Sequence, residues 1–420
     1  MQQPPHDRAT RNLGLARRQI GGGSMTQHAI GTREAAGLRL IGHSDLNSKG
    51  DGMQIMRNGD ALYVGHLGGS GMGTSIVDVS DPTRPRVVTQ IRAPAGSHAH
   101  KVQLADGLLL VNEERFRGGG GYSHGFVVYD ASDPFELRRI GYFDSTGEGV
   151  HRIVWLGGRY AYISAVPEGF DDRIFLIVDM SDPTHPVEAG RWWWPGMWRG
   201  GGEVLDQPEG KRYAAHHALL DGDTGYLGYG DAGMVVLDLS DVTHPRHIAT
   251  VDWEPGGDTH TCLPLPGRNL VVSTDEAIKE MCREEIKLVR ITDVSDPSAP
   301  KIISSCPVPS GDYCERGLRF GPHNLHENRP GTYRSENLMF VTYFNAGLRV
   351  YDISDAEHPV EVAHWVPEPA PGQPDTQIND LYVCSLDDGG LIYVTDRVGG
   401  GLFVLEPDAE LSGRMRAAAL

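Results

Sequence analysis

Five histidines recur at one position of a repeating sequence unit, and imidazole is the commonest metal ligand among protein side chains. They are His100, His151, His216, His260 and His323, and each opens a short apolar run, in the contexts AHK, VHR, AHH, THT and PHN. Donor sets rich in histidine suit zinc, iron, copper or nickel, and three or four such nitrogens could hold one ion. His98, His217 and His326 lie beside or near members of the set, so the register stays open at those positions. A repeated histidine can also be architectural, hydrogen-bonded inside its own unit. The varied neighbours argue against that, because a structural network should keep its partners along with the histidine.

Acidic and basic residues at related positions complete the candidate chemistry. Glu113 and Glu276 end second apolar runs on the expected face of the histidines, where a carboxylate can orient a liganding imidazole or serve as general base. Asp51 and Asp380 occupy the two units that lack the histidine. Arg152, with Arg397 and Tyr343, falls near the same place and could meet an anionic group of a substrate. The candidate catalytic residues are therefore Glu113, Asp51 and Arg152, and the candidate metal ligands are the five histidines.

The elements that must position these residues are strands. The runs IVDVSDP (Ile76–Pro82), VVYDASDP (Val127–Pro134), IVDMSDP (Ile177–Pro183), VLDLSDV (Val236–Val242), ITDVSDP (Ile291–Pro297) and VYDISDA (Val350–Ala356) repeat at intervals of about 50–60 residues, a period typical of propellers and arrays. Each unit holds four short runs rich in Val, Ile, Leu and Tyr, bounded by Gly, Pro, Asp and Ser, which reads as four strands joined by turns. Such a unit cannot bury both faces alone and must stack on its neighbours. The expected fold is all-β: a seven-bladed β-propeller closed by an N-terminal strand, GLRLIGH at Gly37–His43, in the last blade. The expected boundaries are a disordered tail over 1–34, the propeller over 35–410 and a C-terminal tail over 411–420. Inner strands line a central channel, so one repeat position in successive blades places the histidines around one mouth.

The VDVSDP and VYDISD runs resemble the LVIVD repeat, a bacterial propeller repeat, over about residues 37–407. That resemblance implies the fold and little about activity, and the histidines stand where the usual repeat has small residues. A ring of axial histidines is similar in geometry to the iron centre of carotenoid-cleaving oxygenases, although no local motif of that family is present. The expectation is a metal-dependent enzyme, with an iron oxygenase or other oxidoreductase favoured and Zn, Mn or Cu as alternative ions. A metal-assisted lyase or hydrolase, as in streptogramin lyases, is the second reading. A non-catalytic binding scaffold is the third.

Composition narrows the partners. The 420 residues carry a formal charge of −18, which disfavours nucleic acid and anionic membranes, and no apolar run is long enough to span a bilayer. A small apolar or aromatic organic substrate is expected, because RWWWPGMW (Arg191–Trp198) could wall the channel mouth. The N-terminal stretch lacks an apolar signal core, and the five cysteines form no C-x-x-C, so reduced thiols in a cytoplasmic protein are expected. Ile278, Met281 and Cys282 have helical spacing, suggesting a turn or two of helix after the fifth unit's second strand.

Overall fold

The computed structural model describes residues 30–69, 71–116, 120–254 and 257–420. Among these residues the chain folds into 29 strands and one 10-residue α-helix. Strands Gly52–Asn58, Ala61–His66, Met72–Asp78 and Arg86–Arg92 form an antiparallel sheet in sequence order. The same meander recurs at Gly149–Val154 to Val187–Trp192, Tyr213–Asp221 to Arg246–Val251, and Thr259–Leu265 to Lys301–Ser305. Gly149 also pairs with Glu114 and Thr259 with Gly230, joining neighbouring repeats into two larger curled sheets.

Turn chemistry explains the repeated Asp-x-Ser-Asp signature. Asp78 Oδ1 accepts from Ser80 N at 3.0 Å and Ser80 Oγ at 2.7 Å, and Asp81 Oδ1 accepts from Thr83 N at 3.1 Å. The same bonds recur at Asp130, Asp179, Asp293 and Asp352. Short acceptor side chains closing on their own backbone two residues on are Asx turns, so the motif encodes the turn between third and fourth strands.

The two chain ends depart from the expected tails. Thr32–Ala36 pairs with Val360–Pro367, and Leu38–Ser44 pairs antiparallel with Gly401–Pro407. The first of these overlaps the expected tail of residues 1–34 at Thr32–Glu34, and the first 29 residues of that tail fall outside the described ones. Hydrogen bonds from Ile55 N to Asp380 and from Thr395 Oγ1 to Met53 O join the first sheet to the last. Ala409–Ala418 is a helix because Asp408 caps it, accepting from Leu411 N at 2.9 Å, and because it buries Leu411 and Met415.

Two further expectations change. The insertion after Asp275 makes only a three-residue 3₁₀ turn at Glu280–Cys282, where Met281 (φ 59°) and Cys282 (φ 50°) leave helical space. Cys282 is joined to Cys314 in a disulfide, where free thiols were expected; Cys262, Cys306 and Cys384 are buried and free. The bridge fastens the segment after Glu276 to the segment before His323, and Met281 N donates to Leu318 O alongside it.

Candidate metal centre

Breaks in strand register build the site. Val150 faces Ala165 and Arg152 faces Ser164, leaving His151 without an opposite residue. His260 is left over between Thr259↔Asp275 and Thr261↔Thr274, and Asn379 between Ile378↔Asp396 and Asp380↔Thr395. His216 lies in the shift between Tyr213↔Gly230 and His217↔Gly228. In an unbroken strand successive side chains face opposite ways; a bulge bends the strand and re-aims them. Both His151 and Arg152 therefore reach across to other repeats, His151 Nε2 to His216 Nε2 at 3.1 Å and Arg152 Nη2 to Glu327 Oε1 at 2.8 Å.

The five histidines come together in one arc. Ring centroids are separated by 5.1 Å (His100–His151), 4.9 Å (His151–His216), 3.7 Å (His216–His260) and 4.3 Å (His260–His323). His98 stacks on His100 at one end and Phe344 on His323 at the other. Burial, with neighbouring histidines, Lys101 and arginines adding to it, holds His100, His216, His260 and His323 well below the usual imidazole range. Burial and the Arg173 charge bring His151 down to about 3 against the pull of Glu114. The arc is a set of neutral imidazoles, the form that binds metals.

Hydrogen-bond partners place some of the protons. His216 Nδ1 donates to His260 O at 3.1 Å and His151 Nδ1 to Glu114 at 2.9 Å, since these oxygens only accept. His323 Nδ1 lies 2.8 Å from Asn379 O and 3.1 Å from the Asn324 NH₂, one acceptor and one donor. His100 is the reverse of His151 and His216. Asn112 accepts from Lys101 N through Oδ1 (2.7 Å) and donates to Val150 O (2.7 Å), which orients its NH₂ toward His100 Nδ1 at 3.2 Å. His100 Nδ1 must accept there, so its proton lies on Nε2.

The donor atoms do not meet at one point. Two groups have ligand atoms within 4.8 Å of one another: His260, Glu276 and His323; and His98, His100 and Glu114. The second is a hydrogen-bond network, since Glu114 accepts from His98 Nε2 (2.7 Å) and His151 Nδ1 (2.9 Å) and His100 Nε2 is protonated. Burial would raise the Glu114 carboxyl, but His151 and His98 outweigh it and hold it well below its usual range. In the first group Nε2 of His323 lies 3.8 Å from Glu276 Oε1, which Arg319 Nη1 holds at 2.9 Å.

The other candidates divide. Glu113 turns away from the arc and bonds Ser123 and Tyr142, its pKa raised chiefly by burial; its strand neighbour Glu114 takes the place proposed for it. Asp51 accepts from His66 Nδ1 at 2.6 Å and Gly68 N at 3.1 Å, and His66 Nε2 meets Ser75 Oγ at 2.7 Å. That chain ties the first repeat together, with His66 and Ser75 fully buried and the Asp51 side chain 14% exposed. Arg152 reaches across to Glu327 of another repeat. The tryptophan-rich link packs on the rim instead of walling the mouth: Trp193 meets Phe170, and Trp192 and Trp194 meet Tyr229.

A charged layer lies beneath the arc. Arg152 and Arg329 both pair with Glu327, which is 3.3 Å from His217 Nε2, and Arg329 also donates to Gln103 and Trp155 O. Burial would raise Glu327, yet His217, Arg152 and Arg329 together hold it well below its usual range. Lys101 is buried, its amine forms no hydrogen bond or ion pair with a described residue, and burial and Arg152 bring it down to about 7. Burial pushes Asp380, in the same layer, up to about 6 against Arg152 and Lys101. Sequence reasoning missed Lys101, Glu114 and Glu327. Glu113 and Glu114 are adjacent in one strand, so their side chains leave on opposite faces, and which face meets the histidines depends on how the sheets stack.

Fold and site together define a propeller-like all-β protein with a histidine-lined axial layer. The LVIVD repeat matches residues 49–92, 148–192, 217–252, 287–308 and 334–365. Among solved structures the chain is similar to the Pseudomonas aeruginosa periplasmic gluconolactonase PpgL, at 14% identity and a TM-score of 0.55, over 81% of this chain and 93% of that one. It is also similar to a functionally unknown protein from Desulfotomaculum acetoxidans DSM 771, at 11% identity and a TM-score of 0.51, over 85% and 90% of the two chains. At these identities the likeness is one of fold. No curated protein matches the chain.

Proposed function

We propose that this chain is a metal-dependent enzyme whose ion is held by His260, His323 and Glu276 at the axial mouth of a seven-bladed propeller, closed by the pairing of Leu38–Ser44 with the last repeat. One observation carries the reading: ligand atoms of His260, Glu276 and His323 all lie within 4.8 Å of one another, and burial holds both imidazoles well below their usual range, in the neutral form that binds metals. Such an ion supplies a Lewis acid for a carbonyl oxygen. The groups beside it are cationic. Arg319 and Arg397 lie over the Phe344 ring at 5.8 and 4.9 Å, and His323 stacks on the same ring at 4.8 Å.

These neighbours favour a small anionic carbonyl compound over the purely apolar substrate expected from the tryptophans. His151 and His216, with facing Nε2 atoms, can hold and pass a proton. Hydrolysis or elimination fits this set of groups, and lactone opening is the first reaction to try because the fold neighbour is a gluconolactonase. Two histidines and a carboxylate are also the donor set of non-haem iron oxygenases, which supports an iron-dependent oxygenase as the second reading.

Elemental analysis of the purified protein, followed by calorimetric titration of the chelator-stripped form with Zn²⁺, Mn²⁺ and anaerobic Fe²⁺, tests this. About one ion per chain is expected, lost in His323→Ala and kept in His98→Ala. Zinc or manganese with aldonolactone hydrolysis supports the first reading, and iron with oxygen consumption the second. A protein that binds none of the three ions refutes both.

A further inference from the structure

A void of about 10 Å³ lies beside Arg152, between the third and fourth repeats, and Ser164 and His217 line it too. Arg152 is 1% exposed and Ser164 3% exposed. Arg152 Nη2 serves Glu327, but its Nε and Nη1, and Ser164 Oγ, are buried without any hydrogen-bond partner. Three orphaned polar atoms thus belong to residues around one void, and at least the two guanidinium nitrogens can only donate. The rest of the lining is largely apolar, including Ile163, Phe175 and Leu227.

We propose that this void is a binding site for a monoatomic anion, of which chloride is the abundant example. Its volume matches about one water-sized sphere. A water there could accept from one guanidinium N–H and donate to Ser164 Oγ or to an imidazole nitrogen of His216 or His217, but it would leave the guanidinium charge unbalanced. A halide accepts from every donor and has nothing to donate. The charge count of the layer agrees: Arg152 and Arg329 carry two positive charges against one on Glu327, leaving one uncompensated, while Lys101, brought down to about 7, and Asp380, pushed up to about 6, roughly offset each other. Buried charges without a counter-charge are costly, and a bound anion removes the imbalance. It also fixes the guanidinium under the histidine arc, which makes Arg152 a positioning residue whose set point depends on halide. The site does not depend on the ion proposed at His260 and His323.

Crystals grown in bromide should show an anomalous peak within hydrogen-bonding distance of Arg152 Nε and Ser164 Oγ. Thermal unfolding at constant ionic strength should shift upward, saturably, when gluconate is replaced by chloride or bromide. Ser164→Val, which removes one donor and fills the space with a methyl group, should abolish that saturable shift while metal stoichiometry stays as in the wild type. Arg152→Met provides a second variant should Ser164→Val fail to fold. Density for water alone in bromide crystals, or a halide shift that persists undiminished in either variant, overturns the proposal.

Discussion

Glu327→Gln is the most informative single change, because one carboxylate neutralises two buried guanidiniums. Glu327 meets Arg152 at 2.8 Å and Arg329 at 3.0 Å, and all three side chains are at most 7% exposed. The amide keeps the shape, but its NH₂ end faces a cation and the charge is gone. Breaking a buried pair by removing one partner costs about 3–5 kcal/mol. For a chain of this size, with an unfolding entropy of about 2.1 cal/mol/K per residue, that corresponds to a fall of roughly 3–6 °C in Tm. The pH dependence has a definite sign. A carboxyl held below its unfolded value contributes stability that is present above the unfolded pKa and is lost as pH falls through the folded one. The gap between wild type and Glu327→Gln in urea unfolding should therefore be full at pH 7 and close only in acid, well below pH 4. With one negative charge fewer in the layer, halide binding beside Arg152 should tighten about tenfold or more. A stability gap under 1 kcal/mol at pH 7, or one that does not change between pH 7 and strong acid, would refute this account of the charged layer.

Other outcomes follow from the same geometry. Glu114→Gln removes the carboxylate that orients His151, so metal content should hold while turnover falls by about 10²–10⁴-fold, the range for a lost proton-transfer group; loss of the ion instead would move the metal to the Glu114 cluster. Arg319→Gln should raise KM for an anionic substrate far more than it lowers kcat, measured by steady-state kinetics on a lactone or carboxylate that the wild type turns over. Cys314→Ser opens a loop of 32 residues, and loop-closure entropy puts the loss at about 3–4 kcal/mol, read as a lower urea midpoint that dithiothreitol reproduces in the wild type.

The repeat, the turns and the histidine set were legible because each rests on local chemistry. Asp78 and Ser80 close their own turn, and that turn recurs at Asp130, Asp179, Asp238, Asp293 and Asp352. The histidines stood out because one repeat position kept an imidazole while its neighbours varied. Bulges were not legible. Nothing in EGVHRIV distinguishes a strand in which only His151 faces the axis from one in which His151 and Arg152 both do, and the charged layer depends on that difference. The run around His323 forms no regular strand, only an isolated bridge from Leu325 to Val341, because Asn324 and Thr342 bond the Asn379 carbonyl where a ladder would continue. The Cys282–Cys314 pairing was hidden because the loops carrying the two cysteines meet only after the sheets have stacked.

The same dependence on neighbours shapes which nitrogens the arc offers. His216 gives its Nδ1 proton to the carbonyl of His260, while His323 Nδ1 faces both the carbonyl of Asn379 and the Asn324 NH₂. In each case the backbone acceptor belongs to the bulged residue in the next repeat. At His216 a bulge therefore does two jobs: it turns the His260 ring and frees a carbonyl that sets the tautomer of the ring before it. His100 lacks that arrangement, since Asn112 occupies its Nδ1 as a donor, and there the arc stops presenting lone pairs. Replacing Asn112 with Asp reverses the bond: the carboxylate accepts from His100 Nδ1, the proton leaves Nε2, and a further bare nitrogen joins the arc beside His98 and Glu114. Asn112→Asp should then bind a second equivalent of Zn²⁺ in calorimetric titration. If the stoichiometry stays at one, the tautomer of His100 is not what keeps that end of the arc from holding an ion.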